Sequence, residues 1–152
     1  MQVLSGGISS LEEAKEYIYS LNFDRIINKM VSDGWIKMDA EKSFQMFKNF
    51  LFLQKKYPEF KSLVPSEDID ECWHNFILDS IAYVDMSEKL FGKYLHHYPY
   101  FGLDDSGNKD SKILGDAFAA TQDLYFKEFG ERIVSTRSKF PPLIYALLRK
   151  IS

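Results

Sequence analysis

The chain has 152 residues, of which 45% are hydrophobic and 16% aromatic, and its formal net charge at pH 7 is −3. This length suits a single domain that can bury a sizeable core without help from a metal or disulfides. The acidic balance lacks the basic footprint on which general nucleic-acid binding depends, so we expect no nucleic-acid partner.

Cysteine usage and hydropathy indicate a cellular compartment. Cys72 is the single cysteine and cannot form an internal disulfide, whereas secreted scaffolds usually carry pairs. The first residues lack the charged and apolar regions of a signal peptide, and no apolar run approaches the ~20 residues of a membrane span. We therefore expect a cytoplasmic protein with no membrane span, although a secretion route of another kind would leave no trace in these features.

The first third of the chain predicts two short helices. Residues 1–8 are weakly patterned and indicate a loose N-terminus. Ser10 and Glu13 form a capping-box pattern that predicts the first helix. Asn22 can cap a second helix, and Gly34 is placed to end it.

The middle of the chain predicts two longer helices. Asp39 can cap a third helix at roughly 40–57, which the following proline closes. Ser66 precedes an acidic first turn and predicts the start of a fourth helix, which we expect to run unbroken to about Phe91. Gly92 weakens the pattern, so this helix either stops there or continues toward His96.

The last third predicts a loop, a helix and a tail. Residues 104–110 are rich in Asp, Ser, Gly and Asn and predict a surface loop. A fifth helix follows at about 111–129, with Gly130 at its end. Two prolines then precede a short apolar helix, Leu143–Ile151.

No run of alternating apolar and polar residues is long enough to predict a sheet. We therefore predict an all-α fold, a single-domain helical bundle of five or six helices. Its predicted organisation is a loose N-terminus at 1–8, a helical domain at 9–131, and a tail with a short apolar helix at 132–152.

All three histidines of the chain fall within one dense stretch between Val64 and Gly102. The stretch carries V-P-S, then D-E-x-W-H-x-x-I-L-D-S-x-x-Y, and then F-G-x-x-L-H-H-x-P. The positions of these motifs are Val64, Pro65, Ser66, Asp70, Glu71, Trp73, His74, Ile77, Leu78, Asp79, Ser80, Tyr83, Phe91, Gly92, His96, His97 and Pro99. In this order and spacing the stretch resembles the glycine-rich domain-containing protein-like family. The resemblance implies a small stand-alone protein of the bacterial type and no established reaction.

Two features depart from that family. Some relatives carry a second histidine two residues after the first, where this chain has Phe76. Bacterial relatives often end in a tail rich in Gly, Cys and Ser, whereas this chain ends in an apolar, proline-broken one. The first departure removes one possible metal ligand, and the second leaves the role of the tail open.

Helix geometry limits the partners of His74. At about 100° per residue, Asp70 lies one turn away on the same strip of the helix, about 40° round. Asp79 would lie about 140° round a straight helix and could not share a metal with His74. It could instead serve as a buried hydrogen-bond acceptor that fixes the helix to its neighbours.

One hypothesis is therefore a metal site. His74 and Asp70 would be joined by His96 or His97, which fold back from the helix end. Two or three imidazoles and a carboxylate suit a divalent transition metal such as Zn, Fe or Mn. Glu71 would be a spare carboxylate for acid–base work.

The interpretation that we favour from sequence is a binding or structural module without chemistry. His74 could donate to Asp70 and lock helix packing, and the later pair could cap the C-terminal carbonyls of the fourth helix. Trp73 and Tyr83 lie on the apolar stripe, which is typical of core residues. The aromatic loop Tyr94–Phe101 and the tail helix are candidate surfaces for a protein partner or a second copy.

Overall fold

The computed structural model describes residues 7–60 and 63–137, and within these ranges the chain forms six α-helices. They are α1 (Leu11–Ser20), α2 (Asp24–Ser32), α3 (Lys37–Lys56), α4 (Glu67–Leu78), α5 (Ser80–Phe91) and α6 (Ser111–Phe129). The β-structure in these ranges is an isolated bridge between Leu103 and Lys109. The predicted all-α fold is confirmed. The predicted tail helix, Leu143–Ile151, lies outside the described residues.

Helix α3 is the centre of the bundle and contacts α1, α2, α4 and α6. A central helix must be apolar on several sides, and α3 buries Phe44, Phe47, Phe50 and Leu53. Its aromatic rings meet those of α4, with Phe50 5.6 Å from the Trp73 ring. This aromatic packing fixes one face of α4 and leaves its opposite side for polar groups.

Local capping signals set several of the helix ends. The Ser10 hydroxyl accepts a hydrogen bond from the Glu13 amide, and the Ser66 hydroxyl accepts one from the Ile69 amide, as capping residues do. Gly130 ends α6 in the left-handed conformation. The cap predicted at Asp39 is wrong, because α3 begins at Lys37 and Asp39 lies in its first turn.

The predicted fourth helix is wrong as a single element, because the chain breaks at Asp79 and α5 starts at Ser80. No proline or glycine marks this position, so the local sequence does not predict the break. At the break the side chains of Leu78 and Ile81 are left exposed. The new direction of α5 places the Tyr83 ring edge-on against Phe76, with the ring centres 5.1 Å apart.

Helix α5 stops at Gly92, whose φ of 73° is readily adopted by glycine. The following residues have no helical structure until α6, and they return along the outside of α4. Beyond α6, residues 131–137 are held by the Gln122 side chain, which hydrogen-bonds both backbone groups of Ile133. No helix among the described residues is both long and apolar enough to cross a membrane.

Candidate metal centre

Three side chains of the kinds that can bind a metal converge on the exposed side of α4. Asp70 and His74 are one turn apart on this helix, and His97 comes from the segment that follows α5. Asp70 Oδ1 lies 2.6 Å from His97 Nε2 and 3.5 Å from His74 Nε2. The two imidazole Nε2 atoms are 3.0 Å apart. Three potential ligand atoms therefore surround one point.

Hydrogen bonding alone does not satisfy this arrangement well. Each imidazole nitrogen has one in-plane position, which holds either a proton or a lone pair. If His97 Nε2 donates to Asp70, its proton is used and it has no lone pair for His74. If it accepts from His74, it has no proton for Asp70. A cation that binds all three atoms removes this conflict, because each nitrogen then needs only its lone pair.

The spacing of the three atoms suits a small divalent ion. The circle through them has a radius of about 1.8 Å, since their separations are 2.6, 3.0 and 3.5 Å. Asp70, His74 and His97 could together hold a divalent ion, whose bonds to nitrogen and oxygen are about 2.0–2.2 Å long.

His97 is the most firmly held of the three side chains. Its side chain is 13% exposed, against 55% for His74. The imidazole stacks on the indole of Trp73 with ring centres 4.1 Å apart and planes 8° from parallel. Two groups of α4, the Trp73 ring and the Asp70 carboxylate, thus fix the orientation of His97.

Behind His97, Tyr83 links helix and loop. Its hydroxyl accepts a hydrogen bond from Trp73 Nε1 at 2.9 Å and donates to the carbonyl of Leu95. Burial raises the pKa of Tyr83 to about 12, so the hydroxyl remains protonated and able to donate. This pair of bonds joins α4, α5 and the segment that carries His97.

The other sequence candidates lie elsewhere. His96 is exposed and packs against Tyr94, so the structure does not bring it to the three ligand atoms. The prediction that His96 and His97 cap α5 is wrong, because the helix ends at Gly92 and the His97 ring contacts Asp70. The prediction of a buried acceptor at Asp79 is also wrong, since this residue is exposed at the break.

Glu71 points toward a second polar cluster, which sequence analysis missed and which we call the Arg137 clamp. The clamp comprises Asp68 and Glu71 of α4, Thr136, Arg137, and Trp35. Arg137 donates from Nε to Asp68 Oδ1 at 2.8 Å and stacks over the Trp35 ring. The backbone N–H of Thr136 donates to Asp68 Oδ2 at 2.8 Å. The sequence gives no signal that Arg137, about 70 residues away, should meet Asp68.

Cys72 of α4 lies near Asp68 and Glu71 of the Arg137 clamp and contributes no reactive group. Its side chain is fully buried. Burial, reinforced by the nearby carboxylates of Asp68 and Glu71, raises the pKa of the thiol far above its usual range. The thiolate that would bind metal or act as a nucleophile is therefore disfavoured.

Comparison with known proteins places this architecture in a family. The UCP032817-like family matches residues 13–151. Glycine-rich domain-containing protein 1 of Arabidopsis thaliana is 33% identical over 140 residues, and glycine-rich domain-containing protein 2 is 32% identical over 133. These alignments cover 87% and 82% of this chain.

The chain spans only 16% of the length of each of these plant relatives. No solved structure matches the chain. The family match and the two relatives agree with the resemblance seen in the histidine-rich motif. The chain belongs to the UCP032817-like family and is similar to the glycine-rich domain-containing proteins of Arabidopsis thaliana.

Proposed function

We propose that the protein binds a divalent transition metal through Asp70, His74 and His97. The observation that carries this proposal is the convergence of one carboxylate oxygen and two imidazole nitrogens on a single point. The three ligand atoms lie within 4.8 Å of one another. Two imidazoles and one carboxylate form a ligand set typical of Zn and of non-haem Fe, with Mn as a harder alternative.

The site has room for further ligands. The His74 side chain is 55% exposed, so one side of the three atoms faces solvent. Three protein ligands leave at least one position of a tetrahedral ion to water. A metal held in this way can act as a Lewis acid or lower the pKa of bound water, which is the chemistry the site would supply.

The direct test is metal binding by the protein purified without a polyhistidine tag or added metal. We expect elemental analysis to find near one equivalent of Zn, Fe or Mn, and calorimetry to show one site after chelation and reloading. His74→Ala should weaken binding at least about 100-fold, because it removes one of three ligands. This variant suits the test because the side chain is largely exposed and its loss spares the core.

The chain offers a matched control in the neighbouring histidine. His96→Ala removes an exposed imidazole one position from His97, and we expect it to bind metal as the wild type does. Negligible metal content together with no calorimetric binding would contradict the proposal. So would equal weakening by the His74 and His96 substitutions, because nonspecific binding to surface imidazoles predicts that result.

A second candidate function is a protein contact through the aromatic loop Tyr94–Phe101. Tyr98 and Tyr100 are exposed and pack against each other with ring centres 5.5 Å apart. Their exposure favours a contact with another protein. Pairs of exposed aromatic rings are typical of contact surfaces. Sedimentation of the wild type and a Tyr98→Ser/Tyr100→Ser variant tests for self-association. If the wild type sediments as a monomer at every concentration, the loop does not mediate self-association.

A further inference from the structure

Tyr83 is fully buried and touches both supports of the His97 ligand. Its hydroxyl accepts the indole N–H of Trp73, the ring on which His97 stacks. The same hydroxyl donates to the backbone carbonyl of Leu95, two residues before His97. One oxygen atom therefore fixes both the surface beneath the imidazole and the path of the chain that delivers it.

These two bonds restrain different degrees of freedom. The bond to Trp73 fixes the indole plane, and that plane sets the tilt of the His97 ring because the two are 8° from parallel. The bond to Leu95 holds the chain after Gly92 against α5. Without the hydroxyl, the imidazole can rotate and the loop can move away from Asp70. Outer groups that orient a metal ligand commonly control its affinity in this way.

We infer that Tyr83 is a positioning residue of the metal centre, acting through Trp73 and Leu95 rather than by touching the ion. This inference rests on the proposed metal-binding function. It assigns the hydroxyl, and not the ring, as the group that matters. The ring packs against Phe76 in the core, and a phenylalanine at the same position would keep that contact.

The test compares Tyr83→Phe with Tyr125→Phe, using Co²⁺ as the probe. Tyr125 is an equally buried tyrosine whose hydroxyl accepts a hydrogen bond from Asn49 at 2.7 Å, between α6 and α3. Both variants lose one buried hydroxyl, so both should lower the unfolding temperature. Only Tyr83→Phe should weaken Co²⁺ binding, by about 10–100-fold. It should also alter the visible absorption of the bound ion, which reports ligand geometry.

The outcomes separate this inference from the proposed function. If the wild type binds no Co²⁺, the metal-binding proposal fails and the positioning role fails with it. If the wild type binds and Tyr83→Phe matches it in affinity and absorption, only the positioning role is overturned. Equal weakening by Tyr125→Phe would also overturn it, because general destabilisation would then explain the loss.

A second variant covers the case in which Tyr83→Phe does not fold. Trp73→Phe keeps an aromatic face beneath His97 but removes the indole N–H that bonds Tyr83. We expect weaker Co²⁺ binding and an altered absorption spectrum here too. Wild-type binding by a folded Trp73→Phe protein would overturn the positioning role, because the link between Tyr83 and the ligand would be dispensable.

Discussion

Two polar clusters lie on opposite sides of α4, and each uses a carboxylate to hold a distant part of the chain. Asp68 and Asp70 are two residues apart, which places them about 200° apart around the helix. Asp68 holds Thr136 and Arg137 in the clamp, whereas Asp70 holds His97. In the clamp the partner of the carboxylate is the guanidinium of Arg137, which is always positively charged. In the other cluster the partners are the imidazoles of His74 and His97, which can each be neutral.

This difference decides what each cluster can do. Asp68 is 4% exposed and accepts three hydrogen bonds from Thr136 and Arg137, so both of its oxygens are occupied. The guanidinium has no lone pair and cannot bind a metal. At Asp70 the partners are imidazoles, which bring lone pairs to the same point as the carboxylate. We infer that the clamp contributes stability and the histidine cluster contributes binding. Two substitutions test this contrast, and two further ion pairs provide a scale for it.

The largest effect is expected from Asp68→Asn, which keeps the shape of the side chain but removes the charge beneath Arg137. Breaking a buried ion pair leaves an uncompensated charge, and we expect a loss of about 3 kcal/mol in the free energy of unfolding. This figure is at the low end of such losses, because the Arg137 side chain is 34% exposed. Urea denaturation measures it. Metal affinity that falls together with stability would mean that the two clusters are not independent.

The reciprocal substitution is Asp70→Asn. It should weaken metal binding at least 100-fold, or about 2.7 kcal/mol, because a neutral amide is a poorer ligand than a carboxylate. Its cost in the free energy of unfolding should stay below about 1 kcal/mol, since the cluster is partly exposed. Calorimetric titration and urea denaturation of the same sample measure both quantities. A loss of stability as large as that of Asp68→Asn would make the histidine cluster a second clamp.

A third carboxylate, Glu128 of α6, provides an intermediate case. Burial acts to raise its pKa, but hydrogen bonds from Lys56 and Tyr57 outweigh burial and lower the pKa overall. Its stabilising effect is therefore present above the unfolded-state pKa of about 4.3 and is lost as pH falls through the lower folded-state pKa.

Glu128→Gln tests this effect. We expect it to cost about 1 kcal/mol at pH 7, and the difference from wild type should shrink below about pH 4. Denaturant unfolding at several pH values checks the trend. A difference that is constant down to pH 2 would show that the charge of Glu128 is not what stabilises the contact between α3 and α6.

The smallest effect is expected at the exposed pair Lys89 and Asp85, whose charged atoms are 3.2 Å apart on α5. More than half of each side chain is open to solvent. Water and salt screen such pairs, so Lys89→Ala should change the free energy of unfolding by less than about 0.5 kcal/mol. Thermal unfolding at low and high salt measures the change. A loss comparable to that of Glu128→Gln would mean that exposure is a poor guide to ion-pair strength here.

The sequence by itself determined the helical character of the protein and several of its helix ends. Ser10, Ser66 and Gly130 act within one turn of their own position, and capping depends on just such local contacts. The pairing of Asp70 with His74 is equally local, because residues four apart share a helix face. The burial of Trp73 and Tyr83 followed from the apolar stripe.

Only the tertiary structure decided how these pieces are combined. The break at Asp79 has no local marker, so a single helix was predicted where two are present. Spacing alone does not show which of the adjacent residues His96 and His97 reaches Asp70. The choice of His97 over His96 depends on the path of the chain after Gly92, which the Tyr83 hydroxyl holds at Leu95. Contacts between segments that are far apart in the chain leave no periodic pattern in the sequence. Both clusters on α4 are formed by such contacts, so the sequence alone does not predict them.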